Sequence, residues 1–280
     1  MFNVYTLSRP GMIFYLTVLT IGLFEASMLW ACSGMQYKAQ KLRLENLSAQ
    51  VEVVVADVQE ISVDMENGSL YSLLDISHQG DCLLIRQKAD RGYGDIAVIS
   101  SGNGMNNRSV LSINGRTTVI EGESMVMLHN QAYLAEALKI TVPSGTPVDL
   151  VDFRGRAIID DTRAPLQVTG GGRIEAGEIS TARLDVGRNA RISIDHVQQA
   201  LDINASGNSR IKVRSGQVPS MRADVTGNSR VRFDGHAARV NLSVSDNGRL
   251  FVASADHREV AQVNRNGRLT IGDWQQETHP

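Results

Sequence analysis

The chain has 280 residues, 42% of them hydrophobic and 21% charged, with only 5% aromatic and with 25 glycines. That bias fits many short strands and tight turns better than a packed helical bundle. A net charge of −2 excludes a bulk electrostatic pull toward nucleic acid. The two cysteines, Cys32 and Cys82, stand outside any CxxC, which excludes a cysteine-based zinc or redox motif. The charge is uneven: Val151 to Pro280 holds 18 basic and 15 acidic residues, and Ser33 to Leu150 holds 9 basic and 14 acidic.

Residues 1–32 read as a signal peptide or a membrane anchor. Arg9 precedes an apolar run from Gly11 to Phe24, GMIFYLTVLTIGLF, which at 14 residues is short for a span that needs about 20. Extending the run to Ala31 would bury Glu25, at about 3 kcal/mol near the bilayer centre. Leu29-Trp30-Ala31-Cys32 resembles a bacterial lipobox, with Leu at −3, a small residue at −1 and then the cysteine that takes the lipid. Lipidation of Cys32, simple cleavage and a retained span all stay open. Each places the rest of the chain as an exported protein of the bacterial cell envelope, attached to the membrane in the lipidated and anchored cases.

Residues 42–147 form a β-rich region. Strand-like stretches occur at 41–47, 51–57, 60–65, 82–87, 109–115 and 137–143. SSGNGMNNRS (100–109) reads as a long mobile loop, and HNQAYLAEA (129–137) as one or two helical turns. This region is expected to begin the regular repeat and to cap its open end, since an exposed sheet edge invites aggregation.

Residues 148–274 repeat with a period of about 19 residues, and 275–280 form a tail. The units are LQVTGGGRIEA (166–176), LDVGRNARISI (184–194), LDINASGNSRIKV (201–213), ADVTGNSRVRF (223–233), LSVSDNGRLFV (242–252) and AQVNRNGRLTI (261–271). Each is an alternating strand, a Gly/Asn corner, an arginine and a second alternating strand. The arginines are Arg173, Arg191, Arg210, Arg230, Arg249 and Arg268, and Arg156 in FRGRAII marks a seventh, more degenerate unit. Alternation sends Leu201, Ile203, Ile211 and Val213 to one side, and Asp202, Arg210 and Lys212 to the other. The few inward aliphatics of one unit make no core alone, but stacked units do. A propeller blade needs about 40 residues, twice this period. Antiparallel hairpins would not put the arginines on one line. The predicted fold is therefore all-β, a right-handed single-stranded parallel β-helix.

From Leu42 to Gly272 the chain resembles the head GIN domain family of bacterial autotransporter adhesins. Three features carry the resemblance: the early strand pair VEVVVADVQEISVDMENG, the Val-Pro that ends a strand in LKITVPSGTPVDLVDF, and the successive corners GGGRI, RNARI, GNSRI, GNSRV, DNGRL and RNGRL. The resemblance implies a secreted or lipid-anchored β-helix and carries no catalytic residues over. This chain departs from the family by placing Arg after every corner.

The arginine column is the sharpest functional candidate. Six arginines about 4.8 Å apart make a strip of roughly 24 Å that suits a polyanion such as an anionic polysaccharide, lipopolysaccharide phosphate or an acidic protein partner. Asp185, Asp202 and Asp224, just before three of the corners, are expected to neutralise part of the column. The bland alternative is a solvated edge whose arginine stems cover the corners. Asn189, Asn208, Asn228, Asn247 and Asn266 align as a second column, read as structural. The six histidines, at 78, 129, 196, 236, 257 and 279, fall in no HxH or HExxH, so no metal or other cofactor is expected. Asp160-Asp161 is the only adjacent acid pair and reads as a turn. No GxSxG or P-loop is present. The favoured function is a non-enzymatic adhesive or scaffolding module, with a subunit of a larger envelope complex and a carbohydrate-active enzyme as alternatives.

Overall fold

A computed structural model describes residues 35–65, 73–88, 97–100, 108–113, 116–121 and 134–274. Residues 1–32 with Cys32, most of the 100–109 loop, residues 129–133 and the 275–280 tail lie outside them. The chain divides into Met1–Met35 and Gln36–Pro280, and the fold described is that of the second unit.

Alternation dictates the local structure. In Arg210–Val213 the exposure runs out, in, out, in, with Ile211 and Val213 buried and Arg210 and Lys212 exposed. The same rhythm recurs, broken at the bends, among the described side chains of β10 (Leu134–Pro143), β12 (Arg156–Ile159), β13 (Leu166–Gly170), β14 (Arg173–Val186), β15 (Arg191–Ala205), β16 (Arg210–Val213), β17 (Gln217–Val225), β18 (Arg230–Val244), β19 (Arg249–Val263) and β20 (Arg268–Trp274), while β11 (Val148–Phe153) departs from it with Val148, Asp149 and Leu150 all buried. Before them come β1 (Met35–Tyr37), β2 (Lys41–Glu45), β3 (Ala49–Ala56), β4 (Ile61–Met65), β5 (Leu74–Gln79), β6 (Cys82–Gln87), β7 (Ala97–Ser100), β8 (Arg108–Ile113) and β9 (Arg116–Glu121). No helix occurs among the described residues. The described part of 129–137 is strand, because Ala137 to Pro143 lie in parallel register on Gln50 to Ala56. Long-range pairing overrides the local helical preference there.

The strands stack in parallel as a β-solenoid with three faces. The first face stacks β12 on β14, then β15, β16, β18, β19 and β20. The second face is short and carries Glu178-Ile179, His196-Val197, Gln217-Val218, His236-Ala237 and Ser254-Ala255. The third face stacks β11, β13 and the later halves of β14, β15, β17, β18 and β19. Aliphatics from all three faces meet in one continuous core. Ile174, Ile192, Ile211, Val231 and Leu250 form one inward column, and Leu184, Ile203, Ala223 and Leu242 another.

Stacking order departs from chain order at the amino-terminal end. The layer formed by β2 and β3 lies directly above β11 and β12. Above it lies a layer of β6 and β10, which come later in the chain. Antiparallel strands then follow on that layer, β4 on β10 and β5 on β6. Strands β7, β8 and β9 form a separate antiparallel sheet.

Each later rung turns from third face to first through a four-residue corner whose second residue has positive φ: Arg188, Gly207, Gly227, Asp246 and Arg265, all between 57° and 71°. A Cβ on Gly207 would stand 2.8 Å from the backbone nitrogen of Arg188 in the rung before. Gly207→Ala is therefore expected to lower stability by more than the roughly 1 kcal/mol of backbone strain. Ile211→Ala is expected to cost about 2–5 kcal/mol and Lys212→Ala under about 0.5. Denaturant unfolding of the three variants checks the set.

Candidate functional site

The register places the corner arginines on one line. Arg156, Arg173, Arg191, Arg210, Arg230, Arg249 and Arg268 are successive in-register partners along the first face. Seven arginines thus project outward one layer, about 4.8 Å, apart. Six are exposed, and Arg156 is half-buried.

The column is only partly neutralised, and only at its amino-terminal end. Glu175 accepts from Arg173 Nε at 2.9 Å and from Arg156 at 3.5 Å. Among the described residues no carboxylate lies within ion-pair distance of Arg191, Arg210, Arg230, Arg249 or Arg268. Asp185, Asp202 and Asp224 do not neutralise it. They belong to the third face, where Asp185 stacks on Asn204, Asn204 on Asp224, and Asp202 between Arg183 and Arg222.

That third face shows what a compensated column looks like. Arg43, Asp149, Gln167, Arg183, Asp202, Arg222 and Asn241 follow one another in register. No two charges of the same sign adjoin there, and Lys41 adds an ion pair of 2.6 Å to Asp149. In the arginine column each adjacent pair of like charges costs up to about 1 kcal/mol in water. The outward columns of one sheet therefore obey opposite charge rules.

Beside the arginines runs a ladder of asparagine amides. Asn208 Nδ2 donates to Asn189 Oδ1 at 3.4 Å, Asn228 to Asn208 at 3.1 Å, Asn247 to Asn228 at 3.1 Å and Asn266 to Asn247 at 3.4 Å. An amide suits this position because it donates to one layer and accepts from the next. Under the corner, Ser209 Oγ donates to Ser206 O at 2.7 Å.

An open trough of about 1030 Å³ crosses the first face. Arg173, Arg191 and Arg210 line one side. Ile158, Glu175, Ser193 and Lys212, two residues further along each strand, stack in register as its floor. Asp160, Asp161, Asp195 and Arg214 lie near the bend into the second face, about 13 Å from the arginines along the strand. Asp195 accepts from Arg214 at 2.6 Å, Asp161 from the Glu178 amide at 2.7 Å and Asp160 from the Val55 amide at 3.3 Å. The Asp160-Asp161 pair is thus a connector, as its sequence suggests. Toward the carboxyl end the floor column fills: Arg232 lies 4.3 Å from the Phe251 ring centroid and pairs with Asp234 at 2.6 Å. Ser193, Lys212 and Asp195 did not stand out in the sequence. The signal was available two and four residues after each arginine, but those columns vary in type.

The bend into the second face carries further polar stacks. His236 Nδ1 lies 3.0 Å from Ser254 Oγ and Nε2 lies 3.1 Å from Asp256. His196 Nδ1 lies 2.9 Å from Ser215 Oγ, which itself donates to Asp195 O at 2.7 Å. Hydrogen bonds from Gln198 and then Arg163 hold the Glu178 carboxyl below the usual range. Burial pushes the Cys82 thiol up, which makes it a poor nucleophile at neutral pH. Among the described residues no three His, Cys, Asp or Glu side chains are grouped to hold a metal.

No protein-family profile matches this chain, and no curated protein does. Solved structures similar to it include the following two. One is described as a "putative lipid binding protein" from Parabacteroides distasonis ATCC 8503, with TM-score 0.38 and 12% identity, covering 85% of this chain and 95% of that one. The other is described as a "putative cell adhesion protein" from Clostridium sporogenes ATCC 15579, with TM-score 0.23 and 10% identity, covering 85% and 94%. Neither likeness is strong enough to bear on what this chain binds.

Asn228 both accepts and donates in the ladder, whereas Asn266 only donates among the described residues. Asn228→Ala is therefore expected to cost about 1–2 kcal/mol and Asn266→Ala about half as much. Thermal unfolding of both variants measures the difference, and equal losses would mean the ladder bonds do not hold the rungs.

Proposed function

We propose that this protein is a non-enzymatic binding module of the bacterial cell envelope that holds polyanions on its first face. The observation that carries the reading is the run Arg191, Arg210, Arg230, Arg249 and Arg268, in register and without acidic partners among the described residues. Charge compensation does not call for such a run, since the third face of the same sheet alternates its charges. A polyanion supplies the missing counter-charge, and each guanidinium presents a planar fork to phosphate, sulfate or carboxylate. Several weak contacts on one rigid strip act together, so binding is multivalent.

The envelope assignment rests on the apolar amino-terminal run and the lipobox-like Leu29-Trp30-Ala31-Cys32. The resemblance to head GIN domains agrees with display outside the cytoplasm. A carbohydrate-active enzyme needs paired carboxylates or a Lys/Arg base at a cleft, and the repeat carries no long rung insertions to wall one. Of the trough carboxylates, Glu175 pairs with Arg173, Asp195 with Arg214, and Asp160 and Asp161 accept from backbone amides.

The test is retention on immobilised heparin and dextran sulfate. Arg210→Glu/Arg230→Glu is expected to weaken binding at least about tenfold. Arg183→Glu/Arg222→Glu makes the same change in net charge on the third face and is expected to have little effect. Raising the salt should release the wild type, because these charges are exposed. Equal losses from the two double variants would reduce the interaction to net charge and overturn the reading.

A further inference from the structure

We infer that the trough takes a linear acidic polysaccharide, lying along the stacking direction. The inference rests on the polyanion reading above and deepens it to a ligand class and a position.

Three features of the trough select that class. The first is repetition. Arg191 and Arg210 recur one layer apart without acidic partners among the described residues, beside Arg173, which is held by Glu175. Anionic groups that repeat along a chain therefore meet cations that repeat along the column. The second is the mixed lining. Asp160, Asp161 and Asp195 lie across the floor from the arginines. Each has one oxygen engaged by a protein donor, which leaves the other to accept from a hydroxyl. A polyphosphate chain has no hydroxyls to offer and would be repelled by those carboxylates. A sugar with a carboxylate on one edge and hydroxyls on the other satisfies both sides. The third is the floor. Ser193 leaves room in the central rung, and Lys212 adds a cation beside Arg210 that has no ion-pair partner among the described residues. Further along the column Arg232 and Phe251 occupy each other, so the trough is confined to the earlier rungs.

Among the described residues no aromatic side chain lines the trough, so ring stacking is not part of the proposed contact. Recognition by charge and hydrogen bonds alone predicts binding that weakens steeply with salt.

The experiment titrates the full chain with oligogalacturonates of increasing length and with inorganic polyphosphate. Affinity for oligogalacturonate should rise with length and level off once the chain spans the trough. At equal charge number it should exceed polyphosphate by roughly tenfold, the equivalent of one well-made charged contact. Ser193→Trp fills the floor and should abolish this preference. Lys212→Glu, at an exposed position, should do the same without adding bulk. If polyphosphate binds as well as oligogalacturonate, or if neither variant changes the preference, the inference is overturned while the polyanion reading stands. If none of the polyanions binds, heparin included, both fall together.

Discussion

Parallel in-register stacking governs this molecule. Once β12 lies on β14 and β14 on β15, each outward position has its counterpart from the next rung about 4.8 Å above and below it. Whatever residue type the repeat puts at a position is multiplied into a column. Columns of aliphatics close the core, as Ile174, Ile192, Ile211, Val231 and Leu250 do. Columns of asparagine bond to themselves, because an amide donates and accepts at once. Arginine alone gains nothing from its own kind, since a guanidinium only donates and every neighbour carries the same charge.

The arginine column therefore stands out against the sheet that bears it. The third face alternates Arg183, Asp202 and Arg222 in the same geometry, so the chain is able to compensate a column. In the arginine column compensation stops after Glu175, which serves both Arg156 and Arg173. Among the described residues the repulsion is left in place from Arg191 onward. The proposed polyanion would supply the missing negative charge, and the open trough lies beside Arg173, Arg191 and Arg210.

Much of the solenoid was legible in the sequence. A period near 19 residues and the alternation around Leu201, Ile203, Ile211 and Val213 specify the rungs, their inward faces and the line of arginines. Arg156 falls on that line as expected, 17 residues before Arg173. The amino-terminal layers were less legible, because Ala137 to Pro143 find their partner at Gln50 to Ala56, and no repeat marks a pairing over that distance. Strands β5, β7 and β9 went unseen for a related reason: they are short, antiparallel and outside the period. The acids before the corners were assigned to the wrong column. Asp202 and Arg210 are close in sequence, but the corner Ser206–Ser209 puts them on different faces. The trough floor was hidden because Glu175, Ser193 and Lys212 share a position without sharing a type.

The central claim is that the fold tolerates the arginine column and does not need it. The direct measurement is the unfolding midpoint of Arg210→Glu at low and at high salt. Glutamate at this position would sit between Arg191 and Arg230 in the alternation that the third face already uses. The midpoint should rise above that of the wild type at low salt, and the gain should fade as salt screens the column. A midpoint that falls at low salt would show that Arg210 stabilises the rungs, and would contradict the account.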